Sequence, residues 1–294
     1  MAHHTHQHHH HTGQSEADEA ALAAILDLDA EVLSAHLSEL TAWLADLTRD
    51  DAPVRRILDL GSGTGTGTLA LLPRFPDAEV VAVDQSPYLL RHLLDRAHGR
   101  GLAERVRTVE ADLDAGWPDL GRADLAWASA SLHHLADPGR TLREVYAALR
   151  PGGLLAVVEI EGFPRFLPED IGLGTPGLEE RLRAELAGLR AEQMPLLGAD
   201  WGPRLAEAGF TVEAERLVTI ELGHPLPEAT GRYAQALLRR TRDAVGDRLS
   251  ADDLAGLDVL VDGEGPESLL RREDLVVRAE RSVWVARRPA RPTG

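Results

Sequence analysis

Hydrophobic positions along the chain change their spacing near residue 53. From Glu16 to about Leu47, apolar residues recur every three or four positions, which predicts an amphipathic helix. The run Asp50-Asp51-Ala52-Pro53 predicts the end of that helix. Beyond it, short apolar runs alternate with helical patterns, and each short run is a strand candidate. The five predicted strands are Arg56–Leu60, Glu79–Val83, Val106–Val109, Ala123–Ala128 and Leu154–Ile160.

Helical patterns separate these strands and complete an alternating order. They cover Leu69–Arg74, Pro87–Arg100 and Gly139–Leu149, and Arg150-Pro151-Gly152-Gly153 predicts a turn before the fifth strand. Strands that are apolar on both sides and alternate with helices are typical of a parallel sheet covered on both faces. We therefore predict the α/β class, with a doubly wound and mostly parallel sheet.

The C-terminal third follows a different pattern. Leucines at positions 178, 182, 186 and 189 predict a helix inserted after the fifth strand, and a second helix is predicted over Trp201–Ala208. Thr211–Leu222 and Leu275–Arg287 are long strand candidates, while residues 227–270 between them have a helical pattern with acidic breaks. We expect the inserted helices to pack over the rest of the domain.

Domain boundaries follow from these changes of pattern. Residues 1–14 hold seven of the 13 histidines and no apolar run, so they resemble an expression tag. Residues 15–52 are predicted to form an N-terminal helical cap. Residues 53–289 are predicted to form one domain, with lid insertions at about 161–200 and 225–272.

Composition narrows the function classes. The chain has a net charge of −17, and all 31 basic residues are arginine. A chain with this much negative charge repels the phosphate backbones of DNA and RNA, so we expect no nucleic-acid partner. The absence of lysine excludes Schiff-base and P-loop chemistry, and the absence of cysteine excludes disulfides and thiolate metal sites. No apolar run is long enough for a membrane helix, and we expect a cytoplasmic location. An oligomer is possible, but its size cannot be derived from the sequence.

The segment Asp59-Leu60-Gly61-Ser62-Gly63-Thr64-Gly65-Thr66-Gly67 lies between the first predicted strand and the first predicted helix. Glycines at such a turn let a ligand approach the backbone, and the helix start offers free N–H groups. A dinucleotide site requires G-x-G-x-x-G or -A directly after the strand, but the sixth position counted from Gly61 is Thr66. A match that starts at Gly65 begins too late after the strand.

The pattern D-x-G-x-G-x-G resembles instead the first motif of the class I S-adenosylmethionine-dependent methyltransferases. Asp84 ends the second predicted strand, and Asp112 follows the third, in the order that this family uses. The resemblance implies that Asp84 accepts hydrogen bonds from the ribose hydroxyls and Asp112 from the adenine amino group. Taken singly, Asp84 could belong to a helix N-terminus, where Ser86 is the better cap, and Asp112 could be a turn residue.

The resemblance covers about Ile57 to Glu159. It includes Ser131-Leu132-His133-His134-Leu135 and Leu149-Arg150-Pro151-Gly152-Gly153, which are similar to the fourth and fifth strand region of small-molecule methyltransferases. It implies a seven-stranded Rossmann-like methyltransferase fold, with the last strand reversed at the sheet edge, and S-adenosyl-L-methionine as the cofactor. The residues expected to bind the cofactor are Asp59, Gly61, Ser62, Gly63, Gly65, Asp84, Gln85, Asp112, Leu113 and Ser129.

His133 and His134 are the candidate catalytic residues. They follow the fourth strand at the edge where α/β proteins bind ligands, so either ring could take a proton from a hydroxyl or an amine. Alternatively, one histidine packs beneath the loop and the other is solvated. Adjacent histidines point apart in most backbones and no carboxylate cluster is near in sequence, so no metal is expected.

Other side chains near the same edge allow two interpretations. Glu159 and Glu161 could orient a substrate, but the simpler interpretation is that they are solvated loop acids. Four further residues could line a substrate pocket or could only pack in the core. They are Phe163, Arg165, Phe166 and Trp201.

The resemblance implies an enzyme that transfers a methyl group by in-line displacement to oxygen, nitrogen or carbon of a small molecule. One alternative is a protein that binds adenosylmethionine but has a regulatory or non-methylating role. Another is a nicotinamide-dependent oxidoreductase, which shares the fold but lacks support from the glycine spacing and from any Tyr-x-x-x-Lys pair. The sequence does not identify the acceptor.

Overall fold

The structure is a computed structural model that describes residues 15–48 and 52–290. The predicted tag and the residues Asp50 and Asp51 of the predicted helix break lie outside the described residues. The described chain forms one seven-stranded sheet with the order β3-β2-β1-β4-β5-β7-β6. Its strands are β1 (Arg56–Leu60), β2 (Glu79–Asp84), β3 (Val106–Glu110), β4 (Ala123–Ser129), β5 (Leu149–Ile160), β6 (Thr211–Leu222) and β7 (Val277–Arg287).

The predicted fold class is confirmed. Strands β1 to β5 are mutually parallel, with Leu60 beside Val83 in the β1–β2 pair. The expectation that the last strand lies at the sheet edge is wrong, because β7 pairs antiparallel with both β5 and β6. Val283 and Val285 of β7 are fully buried, which requires an internal strand, whereas β6 is mostly exposed along its length and forms the edge.

The helices of the described residues lie where helical patterns predict them, with shifted ends. They are α1 (Glu16–Val32), α2 (Ser34–Leu47), α3 (Thr66–Leu71), α4 (Pro87–Gly99), α5 (Pro138–Ala148), α6 (Leu178–Gln193), α7 (Gly202–Glu207), α8 (Thr230–Val245) and α9 (Ala251–Asp262). The single helix predicted from Glu16 to Leu47 is broken at Leu33, whose backbone leaves the helical conformation. The turn predicted at residues 150–153 interrupts β5, where the register with β4 shifts.

The core has three parts. Alternate residues of the strands face opposite sides, so Leu58 packs toward α5 and α7, and Ile57 packs toward α2 and α3. A third cluster joins α6, α8 and α9 to the ends of β6 and β7. We call these three helices the lid. Because Ile160 of β5 pairs with Arg281 of β7, this cluster lies at the edge where the parallel strands end, which we call the carboxyl edge.

Candidate functional site

The glycine loop after β1 is held against β2 by backbone hydrogen bonds. The amides of Gly61 and Ser62 both donate to the carbonyl oxygen of Val83, at 2.8 and 3.0 Å. Gly61, Gly63 and Gly65 have φ values of 67°, 52° and 80°, which is the left-handed region. Only glycine adopts this region without strain, so the loop conformation depends on these three positions.

The same glycines also allow close packing within the protein. A Cβ atom on Gly61 would lie 2.5 Å from the Cβ of Ser131, and one on Gly65 would lie 2.4 Å from Cγ of Leu93. A Cβ on Gly67 would lie 2.4 Å from Nε1 of Trp127. Gly65 and Gly67 therefore let α4 and β4 approach the loop. The expectation that the loop's glycines leave room chiefly for a ligand is thus incomplete.

Asp84 ends β2 beside this loop. Its Oδ2 accepts a hydrogen bond from the amide of Gly63 at 2.8 Å, and its Oδ1 accepts one from the amide of Ser86 at 2.9 Å. Burial raises the pKa of the Asp84 carboxyl. The N-cap of α4 is Ser86, whose Oγ accepts from the amide of Leu89, so Asp84 is not the cap. Each carboxylate oxygen has a second lone pair that can accept a ligand hydroxyl.

Two hydroxyls of the loop region fit a polar ligand. Oγ of Ser62 and Oγ1 of Thr66 are both buried and have no hydrogen-bond partner. Buried polar groups are almost always paired, so two unpaired hydroxyls in the glycine loop and at the start of α3 agree with a site that a polar molecule completes. Together with the Asp84 carboxylate, they fit a ligand that carries both hydroxyl and charged groups, as a nucleoside joined to an amino acid does.

Asp59 lies below the loop. It is only 2% exposed and accepts a hydrogen bond from Oγ1 of Thr68 at 2.6 Å. Burial raises the pKa of its carboxyl to about 6. The structure thus ties Asp59 to the first turns of α3, and its contact with a cofactor stays a prediction.

The other expected cofactor residues lie along the carboxyl edge. Gln85 and Asp112 are exposed, while Leu113 and Ser129 are half-buried. Oδ1 of Asp112 accepts from the amide of Asp114 at 2.8 Å, so this aspartate does shape a turn. A turn role leaves its second carboxylate oxygen free to accept from a ligand, and the binding roles of these residues stay predictions.

A strained residue separates β4 from the histidines. Ala130 has a φ of 49°, and among the described residues it is the one non-glycine residue with a positive φ. Its amide donates to the carbonyl oxygen of Val158, and Oγ of Ser131 donates to that of Leu60. Strained backbone that neighbours hold in place is common at functional sites.

His133 is buried and bonded to a buried carboxylate. Its Nδ1 lies 2.5 Å from Oε2 of Glu159, while Oε1 of Glu159 accepts from the amide of Leu132 at 3.0 Å. His133 is 5% exposed and Glu159 is 2% exposed. The interpretation of Glu159 as a solvated loop acid is therefore wrong, because the alternation of β5 turns its side chain inward beneath the turn at 132–134.

His134 lies beside His133, with 4.1 Å between the ring centroids. Desolvation and the neighbouring His133 lower the pKa of the His134 imidazole, and Arg240 of α8 adds to this effect. The structure thus brings both candidate histidines to the carboxyl edge and places the lid helix α8 nearby. One ring is buried and the other reaches the surface, as the alternative interpretation of the pair expects.

Helix α1 covers the glycine loop. Asp27 of α1 contacts Nε2 of His92 at 2.7 Å and Nη1 of Arg96 at 2.6 Å, both on α4. Arg96 in turn donates to the carbonyl oxygen of Thr64 at 2.8 Å. Sequence reasoning does not single out Arg96, since nothing in its local pattern distinguishes it from other arginines on a helix.

The four side chains proposed to line a pocket divide into two groups. Trp201 is fully buried in the core cluster that packs toward α5, and Phe166 is fully buried in the cluster of the lid. The packing interpretation is therefore correct for both. Phe163 lines a cavity beside the lid. The backbone of Arg165 pairs with Arg278.

Glu161 is exposed and accepts a hydrogen bond from Oγ of Ser282, which agrees with its interpretation as a solvated loop acid.

Residues 15–48 and 52–290 contain no group of three or more histidine, aspartate or glutamate side chains that could hold a metal ion. No helix in this part of the chain combines the length and the apolar character needed to cross a membrane. The expectations about location, nucleic acid and oligomeric state stay predictions.

Comparison with known proteins points to one family. A sequence model described as "Methyltransferase domain" matches residues 58–155. The demethylmenaquinone methyltransferase of Thermus thermophilus is 41% identical over 121 residues, which is 41% of this chain and 53% of that protein. The trans-aconitate 2-methyltransferase of Azoarcus sp. is 37% identical over 161 residues, which is 54% of this chain and 57% of that protein.

A third relative, the malonyl-[acyl-carrier protein] O-methyltransferase of Laribacter hongkongensis, is 32% identical over 200 residues. The match covers 64% of this chain and 62% of that protein. The chain therefore spans little more than half the length of the relatives it matches. Among solved structures, a proposed methyltransferase of Bacillus halodurans superposes with a TM-score of 0.52 at 19% identity, covering 85% of this chain and 99% of that one. At that identity the superposition shows the fold alone.

Proposed function

We propose that this chain, whose residues 58–155 match a methyltransferase domain, is a class I S-adenosylmethionine-dependent enzyme that transfers a methyl group from that cofactor to a small-molecule acceptor. One observation carries the proposal, namely that the Asp84 carboxylate is bonded to the Gly63 amide of the glycine loop at the carboxyl edge. In open α/β sheets this edge is where ligands bind. The matched relatives are named as methyltransferases of different acceptors, so the acceptor remains to be identified.

The fit of the residues at the loop supports the cofactor assignment. The backbone of residues 61–65 and the unpaired hydroxyl of Ser62 would hold the amino-acid half of the cofactor. The Asp84 carboxylate would accept hydrogen bonds from its ribose hydroxyls. Asp112 would accept a hydrogen bond from the adenine amino group, and Gln85, Leu113 and Ser129 would add contacts at other points along the carboxyl edge. S-adenosylmethionine supplies a methyl group already activated by a positively charged sulfur. The protein therefore needs mainly to align the acceptor and to exclude water.

Proton removal from the acceptor is assigned to the histidines. With Nδ1 of His133 bonded to Glu159, Nε2 is the ring atom left to accept a proton from a hydroxyl or an amine. His134 is the second candidate, because its ring lies beside that of His133 and reaches the surface. An acceptor oxygen, nitrogen or carbon is compatible with this arrangement.

Water exclusion is assigned to the covering helices. Helix α1 lies against the glycine loop, since a Cβ on Gly63 would lie 3.3 Å from Cδ1 of Leu26. The lid lies at the carboxyl edge, on the side of the histidines. We propose that α1, α2 and the lid close over the two reactants and that the lid selects the acceptor.

Isothermal titration calorimetry with S-adenosylmethionine and S-adenosylhomocysteine tests the cofactor site. We expect Asp84→Asn to weaken both affinities roughly 10- to 100-fold, since a charge-assisted hydrogen bond is lost. Asp95→Asn, an exposed aspartate of α4, is the matched control and should bind like the wild type. Equal affinity in Asp84→Asn and the wild type would remove the ribose assignment.

Methyl transfer itself is tested with cofactor labelled in its methyl group. Incubation with extracts of small molecules should give a labelled product in the wild type and much less in Asp84→Asn. Binding of the cofactor without any labelled product would favour the non-methylating alternative.

A further inference from the structure

A cavity of about 400 Å³ lies beside the lid at the carboxyl edge. Its walls come from residues 161–164, which directly follow β5, and from α6 and α8. A volume in this range accommodates a small organic molecule. Slightly more than half of the wall is apolar, and its larger apolar side chains include Phe163, Leu182, Leu186, Met194, Leu197, Leu237 and Leu238.

Two arginines of α6 line this apolar cavity. The guanidinium of Arg190 stacks on the ring of Phe163, with 3.7 Å from Cζ to the ring centroid. Nη2 of Arg190 is buried and has no hydrogen-bond partner. Nη1 of Arg183 donates to the carbonyl oxygen of Phe163 at 2.8 Å. Two positive groups thus share one cavity wall, and one of them has an unused donor.

The acids of the cavity do not neutralise Arg190. Glu179 accepts from the amides of Phe166 and Leu167, and Glu161 accepts from Oγ of Ser282. Burial, and then the positive charge of Arg183, lower the pKa of Arg190 to about 10, and no acid is among the groups that shift it. A buried donor of a charged group without an acceptor is costly, and an anion would satisfy it.

The cavity wall and the surroundings of the candidate histidines use neighbouring residues of the same segments, although neither histidine lines the cavity. Glu161, in its wall, is two residues beyond Glu159, which holds His133. On α8, Leu237, Leu238 and Thr241 face the cavity, while the adjacent Arg240 is close enough to His134 to act on it electrostatically. A molecule in the cavity is therefore near the edge where the proposed transfer takes place.

We propose that this cavity binds the acceptor through a carboxylate group, to which Arg190 donates, whereas the charge of Arg183 is shared with Glu179 of the same wall. The apolar walls hold a hydrocarbon body attached to that carboxylate. The role of the bound molecule as methyl acceptor rests on the proposed function, whereas its binding does not. In a chain with a net charge of −17, the unpaired donor of Arg190 offers an anion a local binding partner against the overall field.

Calorimetric binding of octanoate and 3-phenylpropionate, each beside its neutral primary amide, tests the cavity without requiring activity. The wild type should bind at least one acid more tightly than its amide. Arg190→Gln should lose roughly 10- to 100-fold in affinity for that acid and little for the amide, because a hydrogen bond to a charged group is removed. Arg190→Lys should keep part of the preference, since it keeps the charge but not the planar fork.

Arg181→Gln is the matched control, because Arg181 also belongs to α6 but pairs with Asp253 outside the cavity. It should bind the acids like the wild type, and thermal unfolding should show that all variants fold. If the wild type prefers neither acid to its amide, or if Arg190→Gln keeps the preference, the carboxylate site is refuted. Titration of S-adenosylhomocysteine separates the two proposals, because Arg190-dependent acid binding in a chain that does not bind this nucleoside supports the cavity and refutes the proposed function.

Discussion

Two buried glutamates show how the carboxyl edge and the lid differ. Glu159 at the edge accepts from a histidine ring and from the Leu132 amide. Glu179 in the lid accepts only from the backbone amides of Phe166 and Leu167, and burial raises the pKa of its carboxyl. Glu159 stabilises the turn that follows β4, whereas Glu179 holds the irregular segment at residues 166–167. Only Glu159 also orients a side chain that can carry a proton.

The positive charges of the two regions differ as well. At the edge, Arg96 is paired with Asp27 and bonded to the glycine loop. In the lid, Arg190 stacks on Phe163 and keeps an unpaired nitrogen. The edge therefore pairs this charge internally, which agrees with the rigid cofactor site that we propose there. The lid leaves a charge for a ligand to pair with.

Replacing Glu159 or Glu179 by alanine should give the largest difference in stability between the carboxyl edge and the lid. Glu159→Ala leaves Nδ1 of His133 and the Leu132 amide buried without an acceptor, which should lower the free energy of unfolding by about 3–5 kcal/mol. Glu179→Ala leaves the amides of Phe166 and Leu167 buried without an acceptor, and we expect the free energy of unfolding to fall by about 2 kcal/mol. Urea unfolding at pH 7 measures both. An equal or smaller loss in Glu159→Ala would show that the His133 pairing contributes no more than backbone bonding in the lid.

Alanine at two glycines tests the rigidity of the edge against that of the lid. In Gly65→Ala the new Cβ would meet Leu93 at 2.4 Å in a left-handed backbone, and we expect about 3 kcal/mol of lost stability. Gly188→Ala is the lid counterpart, because it lies within α6 with no atom inside 4 Å of the new Cβ. It should stabilise the protein by about 0.5 kcal/mol, since alanine favours the helix. Thermal unfolding distinguishes the two directions.

Asp59→Asn should give the smallest change in the free energy of unfolding, and that change should depend on pH. Burial raises the pKa of the Asp59 carboxyl to about 6 from its ordinary value of 3.8, so the folded state binds the proton more tightly than the unfolded state. Stability contributed by this group therefore falls as pH rises from about 4 to 6. We expect Asp59→Asn to be more stable than the wild type by about 2 kcal/mol at pH 7.

The advantage of Asp59→Asn should vanish below about pH 4, where the aspartate is protonated in both states. Urea unfolding across pH 3.5 to 8 measures this difference, with the exposed Asp95→Asn as control. A difference that does not change with pH would mean that Asp59 is not the group responsible.

Much of the sheet could be predicted because its signals are local. Arg56–Leu60 and Thr211–Leu222 have the predicted bounds, and the strands between them differ mainly at their ends. The break at Leu33 was not predictable, since the apolar spacing continues through it. The position of β7 between β5 and β6 was missed, because a strand's neighbours are set by contacts far apart in sequence.

The candidate site divides in the same way. The order of the glycine loop, Asp84 and Asp112 at successive strand ends follows from the sequence, and the structure places all three along one edge. The partner of His133 was not predicted, although Glu159 was considered, because nothing in the sequence shows that this acid turns inward. The Arg190–Phe163 contact had no sequence signal at all, since both residues resemble ordinary members of a lid.

By itself the sequence determined the alternating strands and helices, the glycine turn and the excess of negative charge. These depend on backbone sterics and on side-chain periodicity among neighbours in the chain. The tertiary structure decided which acid holds His133, where β7 lies and which arginine stays unpaired in the lid cavity. Those outcomes depend on distances and burial between segments that only packing brings together, and the strength of a charge interaction is set by that burial.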